Sequence, residues 1–325
     1  MGTNLLYAAG QSALSFLRIV PGARAAALGE TFTSTAQGPE AVSFNPAGLS
    51  GEEQNKGKGR KQISLQHTFF VSGILYDNLV YLHPHPSGTW AAQFGFLNVT
   101  GLKRTVADPS VPDGFSEKEN ISTNDLLAAV FYSRNLTRRV SAGVGTKFAR
   151  ESLYDTSVSA AAFDLGLLYR DGNIPLDIGA CLQNLGLQNT PATLRTGLSL
   201  NQRKIFLPSW VPKNSLAAID FSRSLVSEDS TASAGIEIPF MDNRVAFRTG
   251  YRYPLAKQRL GYFLSIPNGF SLGFGLNFSG FNAGYSASSF GDLGLTHRLT
   301  LSIDIGSRSH YLPADRRSAF QAEGR

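Results

Sequence analysis

The stretch that decides the fold is Phe270-Ser271-Leu272-Gly273-Phe274-Gly275-Leu276-Asn277-Phe278. Every second residue is large and apolar, and the residues between them are small or polar. Successive side chains of a β-strand point to opposite faces of the sheet. The stretch therefore predicts a strand with one apolar face and one polar face.

The same alternation recurs from residue 62 to residue 305 and predicts about fourteen strands. They are expected near 62–70, 74–83, 88–99, 124–134, 138–149, 157–170, 174–184, 192–201, 213–223, 230–239, 243–253, 269–278, 281–289 and 294–305. Single-chain barrels of bacterial outer membranes have an even number of strands. The count therefore suits a barrel.

The predicted connections alternate in length. Short turns fall at 83–87, 135–137, 171–173, 240–242 and 279–280. The two longest connections, near 100–123 and 254–268, belong to the other rim, and only 202–212 is long on the short side. Outer-membrane barrels have short turns on one rim and longer loops on the other. The pattern predicts two unlike rims.

A soluble β-sandwich also has alternating strands, so the polar face must separate the two folds. Here that face is mostly small and uncharged, and charged residues make up only 17% of the chain, against a usual quarter. Several predicted strands reach ten residues or more, whereas soluble strands usually have about five or six. These features favour an all-β fold, a transmembrane antiparallel β-barrel of about 14 strands.

Several other classes of protein are disfavoured. No run approaches the roughly 18 apolar residues of a membrane helix, and no secretory signal with a basic start and a cleavage site is present. The charge of +6 is spread along the chain, without the basic helix or aromatic platform of a nucleic-acid-binding protein. The lone cysteine, Cys181, excludes an internal disulfide.

Enzyme motifs are absent as well. The sequence has no G-x-S-x-G elbow, P-loop, H-E-x-x-H or C-x-x-C. His83 and His85 flank Pro84 in a predicted surface turn, with no third metal ligand nearby in sequence. We therefore predict a protein that is not an enzyme and that needs neither cofactor nor metal.

Residues 1–61 do not alternate and are rich in small side chains. A barrel of about fourteen strands has a wide lumen that something should fill. We therefore predict three parts: a plug segment at 1–61, a barrel at 62–305 and a tail at 306–325.

Four motifs resemble a known family. They are Gly22-Ala23-Arg24-Ala25-Ala26-Ala27-Leu28-Gly29, Asn45-Pro46-Ala47-Gly48-Leu49, Gln183-Asn184-Leu185-Gly186 and the run from Phe290 to Leu299. Together they resemble the PorV/PorQ family, which includes an uncharacterised spirochaetal group and belongs to the wider FadL-type barrels. The motifs touch both ends and the middle of the chain. The opening and closing motifs together are the specific part.

The resemblance implies a place in the bacterial outer membrane, in contact with its lipid, and two alternative functions. FadL-like members are passive channels for long-chain fatty acids or other hydrophobic compounds, with the N-terminal segment as a hatch. PorV-type members are components of type IX secretion that associate with a translocon. The hatch residues would be Gly29, Asn45, Pro46, Ala47 and Gly48; the alternative is that Asn45–Gly48 is a simple turn.

Two sets of residues are candidates for binding a ligand. Arg248 and Arg252 point inward and could bind the carboxylate of a fatty acid, because guanidinium binds carboxylate in a bidentate manner. The alternative is structural pairing across the lumen, expected for most inward charges: Lys147, Asp164, Arg170, Asp177, Arg195, Asp220, Glu237, Arg248, Arg252 and Arg298. Phe263 and Leu264 lie in an apolar loop at 255–270, which could bind ligand, dock a protein or form an extra strand.

Overall fold

The computed structural model describes residues 13–51, 59–112, 114–153, 156–171, 174–186, 190–201, 211–255 and 268–305. These residues form fourteen strands, numbered in chain order. They are β1 Lys61–Phe69, β2 Ile74–His85, β3 Gly88–Ala107, β4 Phe115–Asn135, β5 Val140–Leu153, β6 Thr156–Arg170, β7 Leu176–Leu185, β8 Thr193–Asn201, β9 Leu216–Ser224, β10 Ser230–Phe240, β11 Val245–Pro254, β12 Phe270–Phe278, β13 Phe281–Ser289 and β14 Leu295–Ile305.

The sheet is a closed barrel. Each strand pairs antiparallel with its neighbours in the chain, and β1 pairs with β14, where Lys61 lies opposite Ile305 and Phe69 opposite His297. Closure leaves no sheet edge with unpaired backbone groups, as a hydrocarbon environment requires. The predicted barrel of about fourteen strands is confirmed, and the sandwich alternative is wrong.

One predicted loop is wrong. Residues 100–123 were expected to be a long connection, but β3 and β4 run on through most of it and leave only 108–114 between them. Lys103 forms an ion pair with Glu117 across this extended hairpin, and residues 101–107 are exposed on both faces. The alternation that marks a half-buried strand does not develop where both faces meet water, so the sequence pattern missed these strand ends.

The outer face of the wall is apolar. Leu272, Phe274, Leu299, Leu301 and Ile303 are each between 43% and 52% exposed, as the alternation predicted. The neighbouring inward residues are small or polar, and Ser271, Thr300 and Ser302 are buried. A continuous apolar belt of this size on a closed sheet suits lipid rather than water.

The barrel has two rims, which we name by their connections. The short-turn rim joins β2 to β3, β4 to β5 and each later even strand to the next, and the long-loop rim joins the odd strands to their successors. The extended β3–β4 hairpin and the connection at 255–269 both belong to the long-loop rim.

Helices in the described residues are short. The one α-helix, α1, spans Ala23–Ala27, and 3-10 turns span Ser15–Arg18, Gly38–Ser43 and Pro46–Leu49. Within the described chain, no helix is long and apolar enough to cross a membrane.

Candidate functional site in the barrel lumen

Residues 13–51, called here the N-terminal segment, lie against the inner face of the wall. Helix α1 contacts β11 to β14, the 3-10 turn Pro46–Leu49 contacts β3 to β6, and the turn Gly38–Ser43 contacts β1 to β3. Most of the segment is fully buried, including Leu28, Phe32, Val42 and Phe44 at 0% exposure. The segment therefore contacts strands all around the lumen.

Glycines of the wall make room for this packing. A Cβ at Gly250 on β11 would overlap the carbonyl carbon of Leu28 and the amide nitrogen of Gly29. A Cβ at Gly166 on β6 would overlap the side-chain oxygen of Asn45. The backbone of the segment thus lies directly on the backbone of the wall, a closeness that only glycine permits.

Asn45, one of the predicted hatch residues, links the segment to itself and to the wall. It is fully buried, and its side-chain oxygen accepts a hydrogen bond from the Ala47 N–H at 3.1 Å. Its amide nitrogen donates to the carbonyls of Thr33 and of Leu167 on β6, both at 3.0 Å. The Ala47 carbonyl in turn accepts from the Ser133 hydroxyl of β4 at 3.1 Å.

The remaining hatch residues have definite structural roles. Pro46 begins the 3-10 turn that Asn45 caps. Gly48 packs on Ala36, where a Cβ would overlap the Ala36 carbonyl. Gly29 has φ +65° and lies against the Tyr251 amide of β11. Asn45-Pro46-Ala47-Gly48 is thus a turn in geometry, and its gating role stays a prediction.

Glu30 follows Gly29 and binds two arginines of the wall. Its φ is 66°, so two consecutive residues adopt the left-handed conformation, which is unfavourable for a residue with a side chain. Its carboxylate lies 3.2 Å from Arg252 Nη1 and 3.9 Å from Arg195 Nη2. Burial alone would raise the pKa of Glu30, but Arg252 and Arg195 lower it below its ordinary value.

Arg248 pairs with an acidic residue of the wall. Its Nε lies 2.6 Å from Glu237 Oε2 on the neighbouring strand β10, and Arg24 of α1 binds the same carboxylate at 2.7 Å. All three side chains are at most 21% exposed. Arg248 is thus engaged in a structural network, as the alternative interpretation expected.

The predicted pairing among inward charges holds for part of the set. Lys147 pairs with Asp164 at 2.7 Å, and Arg170 lies 3.8 Å from Asp177. Other inward charges bind the N-terminal segment instead: Asp220 accepts from the Phe32 and Thr33 amides, Arg298 donates to the Val20 carbonyl, and Arg195 and Arg252 face Glu30. A strand-by-strand pattern cannot show these partners, because they lie outside the strands.

Sequence reasoning missed Glu30, Glu40 and Arg24 as functional candidates. Glu40 accepts a hydrogen bond from the Ala25 amide at 3.2 Å, and its burial raises its pKa above the ordinary value despite that bond and the nearby Arg24. The available signal was that acids are rare in this small-residue segment, so each one needed a partner.

The lumen has more apolar side chains on one side and more charged ones on the other, although the buried Lys147–Asp164 pair and Asp125 lie on the more apolar side. The apolar side is formed by β2 to β6 and the parts of the segment that face them; its buried residues include Leu14, Phe16, Val42, Leu49, Tyr76, Val80, Leu82, Leu97, Leu127 and Phe131. The charged side is formed by β8 to β14, with Arg195, Asp220, Glu237, Arg248, Arg252 and Arg298.

A cavity of about 190 Å³ lies on the charged side towards the long-loop rim. Glu30, Arg252 and Arg298 line it, with Ser271, Ser288 and Phe290. The Arg252 side chain is 42% exposed, so it can still be reached by a ligand. Of the two arginines proposed for a carboxylate, Arg252 thus borders open space, whereas Arg248 is held by Glu237.

Two further predicted ligand residues, Phe263 and Leu264, lie outside the described residues. No group of three or more possible metal ligands occurs in the described part of the chain. His83 and His85 lie at the end of β2, and His85 bonds Ser87 at 2.8 Å.

Solved structures share this architecture. The toluene transporter TodX of Pseudomonas putida matches with a TM-score of 0.55 and 15% identity, over 87% of this chain and 96% of that one. The CymD monoaromatic hydrocarbon channel matches with a TM-score of 0.54 and 12% identity, over 88% of this chain and 98% of that one. A FadL homologue of Pseudomonas aeruginosa matches with a TM-score of 0.50 and 11% identity, over 88% of this chain and 98% of that one. No protein-family model and no curated protein matches the sequence.

At these identities the likeness establishes the fold. The chain has the closed-barrel fold of the FadL and TodX type, so this part of the predicted resemblance is supported. Two of the neighbours are named as a transporter and a channel, and the prediction that this chain is not an enzyme stays a prediction. Membership of the PorV/PorQ family stays a prediction.

Proposed function

We propose that this protein is a bacterial outer-membrane channel for the passive uptake of hydrophobic compounds, with the N-terminal segment as its plug. The observation that carries the proposal is the make-up of the lumen: buried apolar residues of β2 to β6 lie on one side of the segment, and the cavity lined by Arg252 and Arg298 lies on the other. Once the segment moves aside, the apolar part of the wall would favour a hydrophobic compound over a strongly hydrated ion or sugar.

The finer proposal concerns the ligand, a long-chain fatty acid. Its alkyl chain would lie along the apolar side, where each buried methylene contributes roughly 0.8 kcal/mol. Its carboxylate would bind Arg252, which borders the cavity and is partly exposed. Arg248 is a weaker candidate, because Glu237 and Arg24 already surround it.

Binding to the detergent-purified barrel tests this proposal. Labelled palmitate and the matching alcohol, hexadecanol, share the chain and differ only in the charged end. We expect both molecules to bind. Arg252→Gln should weaken the binding of palmitate about fivefold and leave the binding of hexadecanol unchanged, because a partly exposed hydrogen bond to a charged group contributes roughly 1 kcal/mol. Arg18→Gln, at an exposed ion pair with Asp229, is the control.

The outcomes separate the coarse proposal from the fine one. Binding of neither molecule would contradict the channel for hydrophobic compounds. Equal loss of both on Arg252→Gln would contradict the carboxylate site and leave the channel standing. Expression in a Gram-negative host without its own long-chain fatty acid channel should then restore growth on oleate.

A role in type IX secretion stays the alternative prediction. Its test is co-purification: a large secretion partner retained by the wild-type barrel in mild detergent would support it. No contact among the described residues favours it over uptake.

A further inference from the structure

The short-turn rim carries an excess of positive charge. Its described residues include the basic side chains of Arg60, Lys61, Arg134, Arg138, Arg139, Lys213 and Arg244, and the acidic ones of Asp171, Asp242 and Asp304. Two of these acids are already paired, with Arg139 at 3.2 Å and with Arg60 at 3.0 Å. The described residues of this rim therefore carry a net positive charge.

The densest part of this charge is the turn from β4 to β5. Arg134 lies next to the end of β4, and Arg138 and Arg139 lie in the turn. Arg134 and Arg138 are exposed, and no acidic partner for either occurs among the described residues. Leu136 between them is 61% exposed, an unusual position for a leucine facing water alone.

An aromatic pair stands beside this turn on the outer face. Trp90 on β3 lies opposite Tyr132 on β4, with ring centroids 4.7 Å apart. The Tyr132 hydroxyl donates to the Ser87 carbonyl at 2.5 Å. Aromatic rings with a polar end mark the level of lipid headgroups on membrane barrels.

The order of side chains along β4 places the arginine at the same boundary. Val130, Tyr132 and Arg134 share the outward face, since they are two residues apart. Val130 is 53% exposed and suits the hydrocarbon. At about 3.3 Å per residue, Arg134 lies some 13 Å from Val130, beyond the aromatic ring and towards the headgroups.

The turn itself is held in shape. The Thr137 hydroxyl oxygen accepts hydrogen bonds from the Arg139 amide at 3.1 Å and the Val140 amide at 2.9 Å. The Leu136 amide donates to the Val140 carbonyl at 2.8 Å. The arginines are thus carried by an ordered loop rather than by a loose one, which limits the entropy lost on binding.

We propose that Arg134 and Arg138, beside Trp90 and Tyr132, form a binding site for the phosphate of an anionic phospholipid such as phosphatidylglycerol. The surface continues directly from the lipid-facing belt, so its occupant is a lipid rather than an acidic protein. A phosphate accepts hydrogen bonds from guanidinium groups in a bidentate manner. A net negative headgroup gains from both arginines, whereas the cation of a zwitterionic headgroup is repelled by them.

Fluorescence quenching of Trp90 by brominated lipid tests the site. The chain has two tryptophans, so Trp210→Phe leaves Trp90 as the only reporter. The probes are phosphatidylglycerol and phosphatidylcholine, each brominated near the glycerol end of its acyl chains and diluted in the same unbrominated phosphatidylcholine vesicle. We expect brominated phosphatidylglycerol to quench Trp90 fluorescence more strongly than brominated phosphatidylcholine does at the same fraction of the lipid.

The variants decide between this site and general surface charge. Arg134→Gln with Arg138→Gln should lower the preference for phosphatidylglycerol roughly 25-fold, at about 1 kcal/mol for each cation near an anionic headgroup. Lys213→Gln with Arg244→Gln removes the same charge from the same rim and should leave the preference unchanged. Arg134→Lys with Arg138→Lys keeps the charge and should keep most of the preference for phosphatidylglycerol.

Two results would overturn the proposal. Equal quenching by the two lipids in the unsubstituted chain would mean that no anionic headgroup is preferred, and would leave the arginines available to an acidic protein. Equal effects of the two glutamine pairs would mean that the rim acts only through its total charge. Heat-modifiable migration on a gel checks that each variant forms the barrel, and Arg134→Gln alone, with Lys213→Gln alone as its control, carries the test if the double glutamine variant does not fold.

Discussion

Glu30→Gln should loosen the N-terminal segment without harming the barrel. The carboxylate lies 3.2 Å from Arg252 and 3.9 Å from Arg195, and it holds a residue whose φ of 66° is unfavourable. A hydrogen bond to a charged group contributes about 1.5–3 kcal/mol, and the 42% exposure of Arg252 places this one near the lower end. A loss of about 2 kcal/mol corresponds to a roughly 25-fold increase in the detached state.

Planar-bilayer recording measures this increase directly. The fraction of time in a conducting state should rise roughly 25-fold in Glu30→Gln, while the size of each opening stays the same. Glu228→Gln is the control, because Glu228 is exposed in the β9–β10 connection on the long-loop rim. An unchanged open fraction would refute the idea that the Glu30 ion pairs hold the segment in place.

The remaining predictions concern the wall, the contact between segment and wall, and acid–base behaviour. Phe274→Arg should cost roughly 2–4 kcal/mol of folding stability in lipid vesicles, because the residue faces hydrocarbon, and Phe274→Leu should cost much less. Gly250→Val should make the segment sensitive to protease while the barrel stays heat-modifiable, since its Cβ would overlap Leu28 and Gly29. Asn45→Leu should weaken attachment by about 2–3 kcal/mol, because two carbonyls lose their donor; unaltered proteolysis would contradict this. The Glu30 carboxylate, whose pKa is lowered, should hold the N-terminal segment to the wall above pH 4.5. This attachment should be lost as the pH falls through the lowered pKa. Glu40, whose pKa is raised by burial, has the opposite sign, so Glu40→Gln should increase resistance of the segment to protease at neutral pH.

The strands were predictable because a barrel wall with an apolar outer face and a small or polar inner face imposes a strict period of two on the sequence. Leu272 and Phe274 are exposed and Ser271 is buried, as the alternation requires. The same rule failed between residues 100 and 123, where β3 and β4 continue as an extended hairpin and residues 101–107 are exposed on both faces.

The site was less predictable, because its contacts join residues far apart in the chain. The family resemblance marks Asn45 as a hatch residue, but its hydrogen bond to the Leu167 carbonyl spans 122 residues and depends on Gly166 having no side chain. Arg248 and Arg252 are equivalent in the sequence pattern, because both point inward and they lie four residues apart on the same strand. Only the structure shows that Glu237 holds one and that the other borders a cavity.

The measurement that tests the central claim most directly is the conductance of the barrel without its N-terminal segment. Strands β1 to β14 satisfy their own backbone groups, so a chain lacking residues 1–50 should still assemble and migrate as a heat-modifiable barrel. If the segment is the plug, as we propose, this shortened barrel should conduct ions continuously in a planar bilayer, whereas the full chain should stay closed most of the time. An assembled, shortened barrel that is as closed as the full chain would contradict the claim that residues 13–51 plug the lumen.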